Sequence, residues 1–216
     1  MIASAFSGWQ RLSDRPAALI PGGGVRSLTA VSLVEWAEQT ARDLLESALP
    51  RRWAHVQSVA GQAARLAPFL DEDRELFHAA AWLHDVGYAP SLAVTGFHPL
   101  DGAHYLTTAD APDRLVGLVA FHSSAAAEAD ALGLGDQLAE FTDERTLTRD
   151  LLWYVDMTTG PDGQCMDFAS RIDDVRARYA PGHYVIRALA AGMAERQAAI
   201  ARAEEWKRHV GAAAHV

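Results

Sequence analysis

The chain has 216 residues, half of them hydrophobic, enough to bury one substantial core and at most an appendage beside it. A formal net charge of -9 excludes the broad basic surface that nucleic acid requires, and a lone cysteine, Cys165, excludes an intrachain disulfide. No apolar run approaches the length needed to span a bilayer, so neither membrane nor nucleic acid is expected as a partner, and a reducing cytoplasm is the expected location.

Residues 1–26 read as an arm. Ser13-Asp14-Arg15-Pro16 and Pro21-Gly22-Gly23-Gly24 break any periodicity, while Phe6, Trp9, Leu12 and Ile20 are free to dock on the body or on a second copy. The arm lacks the basic start and sustained apolar stretch of a signal peptide. Residues 27–216 read as one all-α domain, a helical bundle. From Ser27 or Thr29 the helical period sets in, and Val34, Ala37, Ala41, Leu44, Leu45 and Ala48 share a face. Pro50 restarts the chain as a first-turn proline. The helix after it aligns His55, Val59, Ala63 and Leu66, with Arg52 one turn ahead of His55. Asp71-Glu72-Asp73 offers an acidic first turn to a helix that turns Phe77, Ala80, Ala81 and His84 inward; Gly87 and Pro90 close it.

After a loop, His98-Pro99 opens a short helix through Tyr105. Asp110 is placed to cap a helix on which Leu115, Leu118, Val119 and His122 line up. Residues 125–135 are Ala-rich and helical, ending near Gly133 and Gly135. A helix from Glu144 to Met157 gathers Leu152, Trp153 and Asp156 on one side. Thr158-Thr159-Gly160-Pro161-Asp162-Gly163 is the strongest loop signal in the chain. One helix spans roughly Phe168–Arg178, and a last one runs from about His183 to Lys207. The alternating pattern of a strand never persists, and there is no internal repeat.

Six side chains carry the chemistry: His55, His84, Asp85, His98, His122 and Asp156. Two divalent ions a few ångströms apart need a bridging carboxylate and terminal ligands that leave positions open, and neutral imidazoles and carboxylates are suitable donors. Adjacent residues on a regular helix diverge by about 100°. His84 and Asp85 can still reach one centre because they stand in the last turn before Gly87. Singly, each histidine is equally well explained as a hydrogen-bonded core residue; the weight lies in the set. His98 begins a helix and can alternatively cap it, and His104 competes with it. His78, His183, His209 and His215 fall outside the constellation.

This order of ligands resembles the two-metal branch of the HD superfamily of metal-dependent phosphohydrolases, over roughly residues 45–160. Arg52-Trp53-Ala54-His55 is similar to its Arg-x-x-His helix, and Leu83-His84-Asp85-Val86-Gly87 to its Leu-His-Asp-Ile-Gly. His98-Pro99-Leu100-Asp101-Gly102-Ala103 resembles its His…Gly-Ala segment, and Tyr154-Val155-Asp156 its distal aspartate helix. The resemblance implies an HD-type bundle in which His55, His84 and Asp156 hold a first metal, Asp85 bridges, and His98 and His122 hold a second. The ions implied are iron, manganese or magnesium. One position departs: where many members carry a lysine directly after His-Asp-x-Gly, this chain has Tyr88, which supplies no charge.

Arg52, whose fork suits phosphate, is then the leading substrate contact and charge neutraliser, ahead of Arg51 and Arg149. Tyr88 is read either as a substrate contact or as packing, and Thr158 and Thr159 as part of a loop rimming the pocket. Asp101 and Glu128 are candidate acceptors for the outer ring N–H groups of the ligating histidines. The activity implied is hydrolysis of a small phosphorylated substrate, a nucleotide or dinucleoside polyphosphate, by a metal-activated water. Two rivals use the same ligands: a mixed-valent di-iron oxygenase cleaving a small organophosphonate or polyol, and a nucleotide-sensing module without turnover. The apolar arm and the stripe Ile186, Leu189, Met193 and Ile200 fit a homodimer.

Overall fold

A computed structural model describes residues 31–213, so the expected arm, the beginning of the first helix and His215 lie outside the described residues. Those described are all-α, with one isolated bridge between Thr159 and Cys165 in place of any sheet.

Helix α1 (Leu33–Leu45) starts where Ser32 and Glu35 close a capping box: Glu35 N–H donates to Ser32 Oγ at 3.2 Å, and Ser32 N–H to Glu35 Oε2 at 2.9 Å. Helix α2 (Pro50–Leu66) carries its proline in the first turn, where no backbone donor is lost. Helix α3 (Arg74–Leu83) follows a separate 3₁₀ turn, Asp71–Asp73. The acidic triplet is therefore not the first turn of α3. Asp71 sits at positive φ, and Asp73 instead receives Arg114 and the Thr148 hydroxyl.

Helices α4 (His98–Thr108) and α5 (Asp113–Ala120) come next, then α6 (Ala125–Leu132), the single turn α7 (Gly135–Leu138) and α8 (Leu147–Met157). The residue before α5 is Pro112, and Asp110 does not cap it: Asp110 stands at φ 55°, two residues too early. Helix α8 begins at Leu147 rather than Glu144, because Arg145 turns to φ 48° and Thr146 takes the cap. Asp167 caps α9 (Phe168–Arg178). The expected single C-terminal helix is two, α10 (Tyr184–Ala191) and α11 (Met193–Ala213), parted at Gly192. A Cβ on Gly192 would lie 2.4 Å from Ser124 Oγ, so glycine there allows a close approach to the turn before α6.

Helix α3 is the axis of the core, packed against α1, α2, α5 and α8. Ala79, Ala80 and Ala81 have no exposed surface, and these short side chains let the neighbouring helices close in. Phe77 and Leu83 are equally sealed, each contributing about 1.5–3 kcal/mol through burial. Trp53 of α2 stacks on Trp82 with ring centres 5.6 Å apart. A smaller cluster, Met157, Ile172, Leu189 and Ile200, ties α9, α10 and α11 to the end of α8. That second cluster sets the C-terminal helices beside the residues of interest. No helix among the described residues is long and apolar enough to cross a membrane.

Candidate metal centre

Five helices meet at one place, most of them by their ends. His55 lies within α2, its side chain fully buried. His84 is the last helical residue of α3, and Asp85 leaves the helix at φ -107°, ψ 8°, which frees the two neighbouring side chains to face a common point. Gly87 makes the next approach: a Cβ there would sit 1.9 Å from the His98 carbonyl oxygen and 2.6 Å from Gly102 N. The turn after Asp85 thus rests directly on the first turn of α4. His98 opens α4 without capping it, since Phe97 precedes it and no side-chain cap forms. His122 follows α5 in a turn whose next residues, Ser123 and Ser124, stand at φ 49° and 63°. Two consecutive non-glycine residues in the left-handed region carry strain of about 1 kcal/mol or more each.

The six side chains fall into two groups of three, His55 with His84 and Asp156, and Asp85 with His98 and His122. In the first, His55 Nε2 lies 3.1 Å from Asp156 Oδ1 and 3.4 Å from His84 Nε2, and His84 Nε2 lies 3.8 Å from Asp156 Oδ1. In the second, His98 Nε2 and His122 Nε2 are 3.0 Å apart and lie 3.3 and 3.6 Å from Asp85 Oδ1. Asp85 joins the groups, because its other oxygen, Oδ2, lies 3.3 Å from His84 Nε2 and 3.6 Å from His55 Nε2.

Backbone carbonyls set the ring orientations. Carbonyls only accept, so the facing ring nitrogen must carry the proton: His55 Nδ1 donates to Gly160 O (3.0 Å), His84 Nδ1 to Ala81 O (2.9 Å) and His122 Nδ1 to Val119 O (2.6 Å). A neutral ring held that way turns its Nε2 lone pair inward, and in His55 and His84 those atoms converge with a carboxylate oxygen. Such a set of acceptors fits a cation. Burial lowers the His98 pKa to about 4, which keeps that ring neutral as well. Although burial pushes the Asp156 carboxyl up, the neighbouring His55 and His84 hold it far below the usual range. Asp85 is likewise held down, by Arg52 and His84 against the opposing effect of burial.

Asp101 and Glu128 do not take the outer histidine protons. Asp101 gathers Thr95 N–H, the Thr95 hydroxyl and Gly96 N–H, ordering the loop before α4. Thr158 and Thr159 are also placed differently from expectation. Both are buried at the end of α8, their hydroxyls donating to Tyr154 O and Val155 O, and neither lines the cleft described below. Their loop backs the centre through Gly160 and does not rim it. Arg51 is exposed and paired with Asp162, and Arg149 is buried among carboxylates of its own.

A cleft of about 150 Å³ opens over the centre. Arg52 reaches it with Nη1 2.6 Å from Asp85 Oδ2, while Asp85 and Asp156 together keep the guanidinium charged despite burial. Tyr88 lines the same cleft. The His98 ring stacks on it at 3.8 Å, and Arg52 Cζ lies 4.0 Å from its centre. Two groups that close to the ring centre cannot share a face, so Tyr88 is clasped between them and fixes both. Burial, then the charge of Asp85, raises the Tyr88 hydroxyl pKa, so the phenol stays protonated. Ser123, whose hydroxyl donates to Asp156 Oδ2, also lines the cleft, as do Glu128, Arg171 and Arg196. No motif announces those four in the sequence.

Helical elements that turn imidazoles and carboxylates onto one buried point define a metal-site bundle, and the comparison with known families agrees. Residues 52–156 match the family model of the HD domain. Over that segment, a little under half of its length, the chain is similar to the HD domain, and the two His/Asp groups that could hold a metal ion are drawn from it. No curated protein and no solved structure matched the chain.

Proposed function

We propose that the protein hydrolyses a small phosphate ester or phosphoanhydride at a pair of divalent ions held by His55, His84, Asp85, His98, His122 and Asp156. The observation that carries this reading is the sharing of Asp85, which turns Oδ2 towards one histidine pair and Oδ1 towards the other. Bound there, two divalent ions supply an activated water near neutral pH and polarise a phosphoryl oxygen. The remaining work belongs to the chain. Carbonyl bonds at Nδ1 hold three of the four histidines in one tautomer, so their Nε2 atoms stay available as donors to metal. Arg52 spends Nη1 on Asp85 and has further N–H groups to offer to the oxygens that gain charge during transfer. Tyr88 replaces the charge of the family lysine with a platform that holds Arg52 over the cleft. A cleft of this size and a net charge of -9 favour a small substrate over polymeric nucleic acid.

Elemental analysis of the purified full chain, followed by assays with manganese or magnesium under exclusion of oxygen, tests the proposal. Two equivalents of divalent metal and hydrolysis that needs no oxygen are expected. Oxygen consumption by iron-loaded protein, with no hydrolysis, would replace it with the oxygenase reading, and metal-loaded protein that binds nucleotide without turning it over would replace it with the sensing module.

A further inference from the structure

Part of the cleft's lining comes from helices beyond the segment 52–156, and two buried arginines stand in it. Arg196 of α11 is 6% exposed and Arg171 of α9 is 8% exposed. A buried guanidinium usually answers a carboxylate, because an uncompensated one costs several kcal/mol. Arg149 and Arg171 illustrate the two extremes. Arg149 bonds to Asp143, Asp150 and Glu195. Arg171 has Asp174 alone, at Nη1, and its buried Nε has no partner.

Arg196 goes further and pairs with no carboxylate among the described residues. Nε donates to Ser123 O (3.1 Å) and Nη1 to Leu189 O (3.0 Å), with a longer contact to Ala188 O (3.4 Å). Those carbonyls orient the fork, and Nη2 bonds to none of the described residues. Burial lowers the Arg196 pKa to about 10, which leaves it charged at neutral pH. Glu128 is the one carboxylate in this wall beyond the metal-site aspartates, and it is not within ion-pair distance of Arg196. Asp174 is shared by Arg171 and Arg178, so three arginines face two carboxylates on this side.

We infer that Arg196 and Arg171 form an oxyanion-binding wall that takes a second acidic group of the substrate, a phosphate, phosphonate or carboxylate, beyond the phosphoryl group that reacts. Ser123 separates this wall from the metal centre: its carbonyl takes Arg196 and its hydroxyl takes Asp156. The two anionic subsites are thus one residue's width apart. An oxyanion in the cleft meets the open edge of Arg196 and the charge of Arg171, which lines the same cleft, and so offsets the cost of their burial. For the nature of the substrate this inference rests on the proposed hydrolysis; for the binding of an anion it does not.

Inorganic phosphate is the probe, titrated calorimetrically into the full-length protein as purified, with metal content measured on the same sample. Arg196→Gln and Arg171→Gln are each expected to weaken phosphate binding by about tenfold or more while metal content stays at the wild-type value. Arg196→Lys keeps the charge and loses the fork, and is expected to weaken it by about threefold. Glu128→Gln removes the opposing charge and is expected to tighten binding by about threefold, a gain that misfolding cannot produce. Phosphate affinity indifferent to Arg171 and Glu128 would overturn the wall, whatever becomes of Arg196→Gln. Arginine-dependent binding in a protein without metal would keep the wall and sink the proposed hydrolysis.

Discussion

Helix α8 carries a buried polar cluster at each end, and the two differ in one respect. At its start, Arg149 reaches Asp143, Asp150 and Glu195 at 2.7–3.1 Å, and Arg202 closes on Asp150 from α11 at 2.6 and 3.0 Å. With Arg145 also on Asp143, three guanidinium groups answer three carboxylates, and of Arg149 only Nε is left over. At its end, Asp156 meets His55, His84 and, across Asp85, His98 and His122, with Arg52 as the one fixed cation in contact among the described residues. The first cluster ends its donors on acceptors. The second aims acceptors at one another. Buried polarity that balances itself is a strut, and buried polarity that leaves positive charge wanting is a site.

The sharpest way to break that contrast is to remove the shared carboxylate. Asp85→Asn is expected to lose bound metal and to lower hydrolysis by about 1,000-fold or more, with helical content by circular dichroism unchanged. Arg149→Met strikes the other end. It leaves three carboxylates with one fewer guanidinium and is expected to cost about 3–5 kcal/mol in urea unfolding, while the folded fraction keeps its metal. Chelation should act on stability only through the second cluster. At free metal about 100 times the dissociation constant, stripping removes about 2.7 kcal/mol, a fall in Tm of roughly 5–10 °C that added metal restores.

Two smaller effects lie away from both clusters and calibrate them. Ser32→Ala opens the capping box of α1 and should cost about 1 kcal/mol without altering metal content. Asp73 is held below its ordinary 3.8 by the Arg114 hydrogen bond, against the opposing effect of burial, with Thr148 adding to the lowering. A depressed acid contributes stability that is present above pH 3.8 and is lost as pH falls through the lower folded value. Asp73→Asn should therefore flatten the acid limb of stability against pH below that point. The effect should be slight, because Arg114 is half exposed.

Much of the architecture was legible because helical period survives in a single sequence. Leu33–Leu45, Pro50–Leu66 and Phe168–Arg178 each show an apolar stripe or a boundary residue; of the six donors His55 falls on the inward stripe of the second, and the other five lie on or just beyond α3, α4, α5 and α8. Boundaries set by φ alone were not legible. Arg145 and Asp110 adopt left-handed backbone without glycine, and each moved a helix start away from the residue that chemistry favoured. The break at Gly192 depends on Ser124, nearly seventy residues earlier, so no local window contains it. The outer histidine contacts escaped for a related reason: every residue has a carbonyl, and none is marked by its side chain. Thr158 and Thr159 looked like a rim because hydroxyls near a ligand invite that reading. At a helix end, however, a threonine hydroxyl readily folds back onto the carbonyl four residues earlier.

Gly87 carries a consequence for the number of ions. Its absent methyl lets the His98 carbonyl come to within 1.9 Å of where a Cβ would stand, and so fixes how near α4 lies to Asp85. Any larger residue at this point would wedge α4 outward and carry His98 with it, while His55, His84 and Asp156, on α2, α3 and α8, would keep their places. One hydrogen atom in place of a side chain thus acts as a spacer gauge. Widened by a single carbon, the same scaffold would keep the trio of His55, His84 and Asp156 and draw His98 away from Asp85.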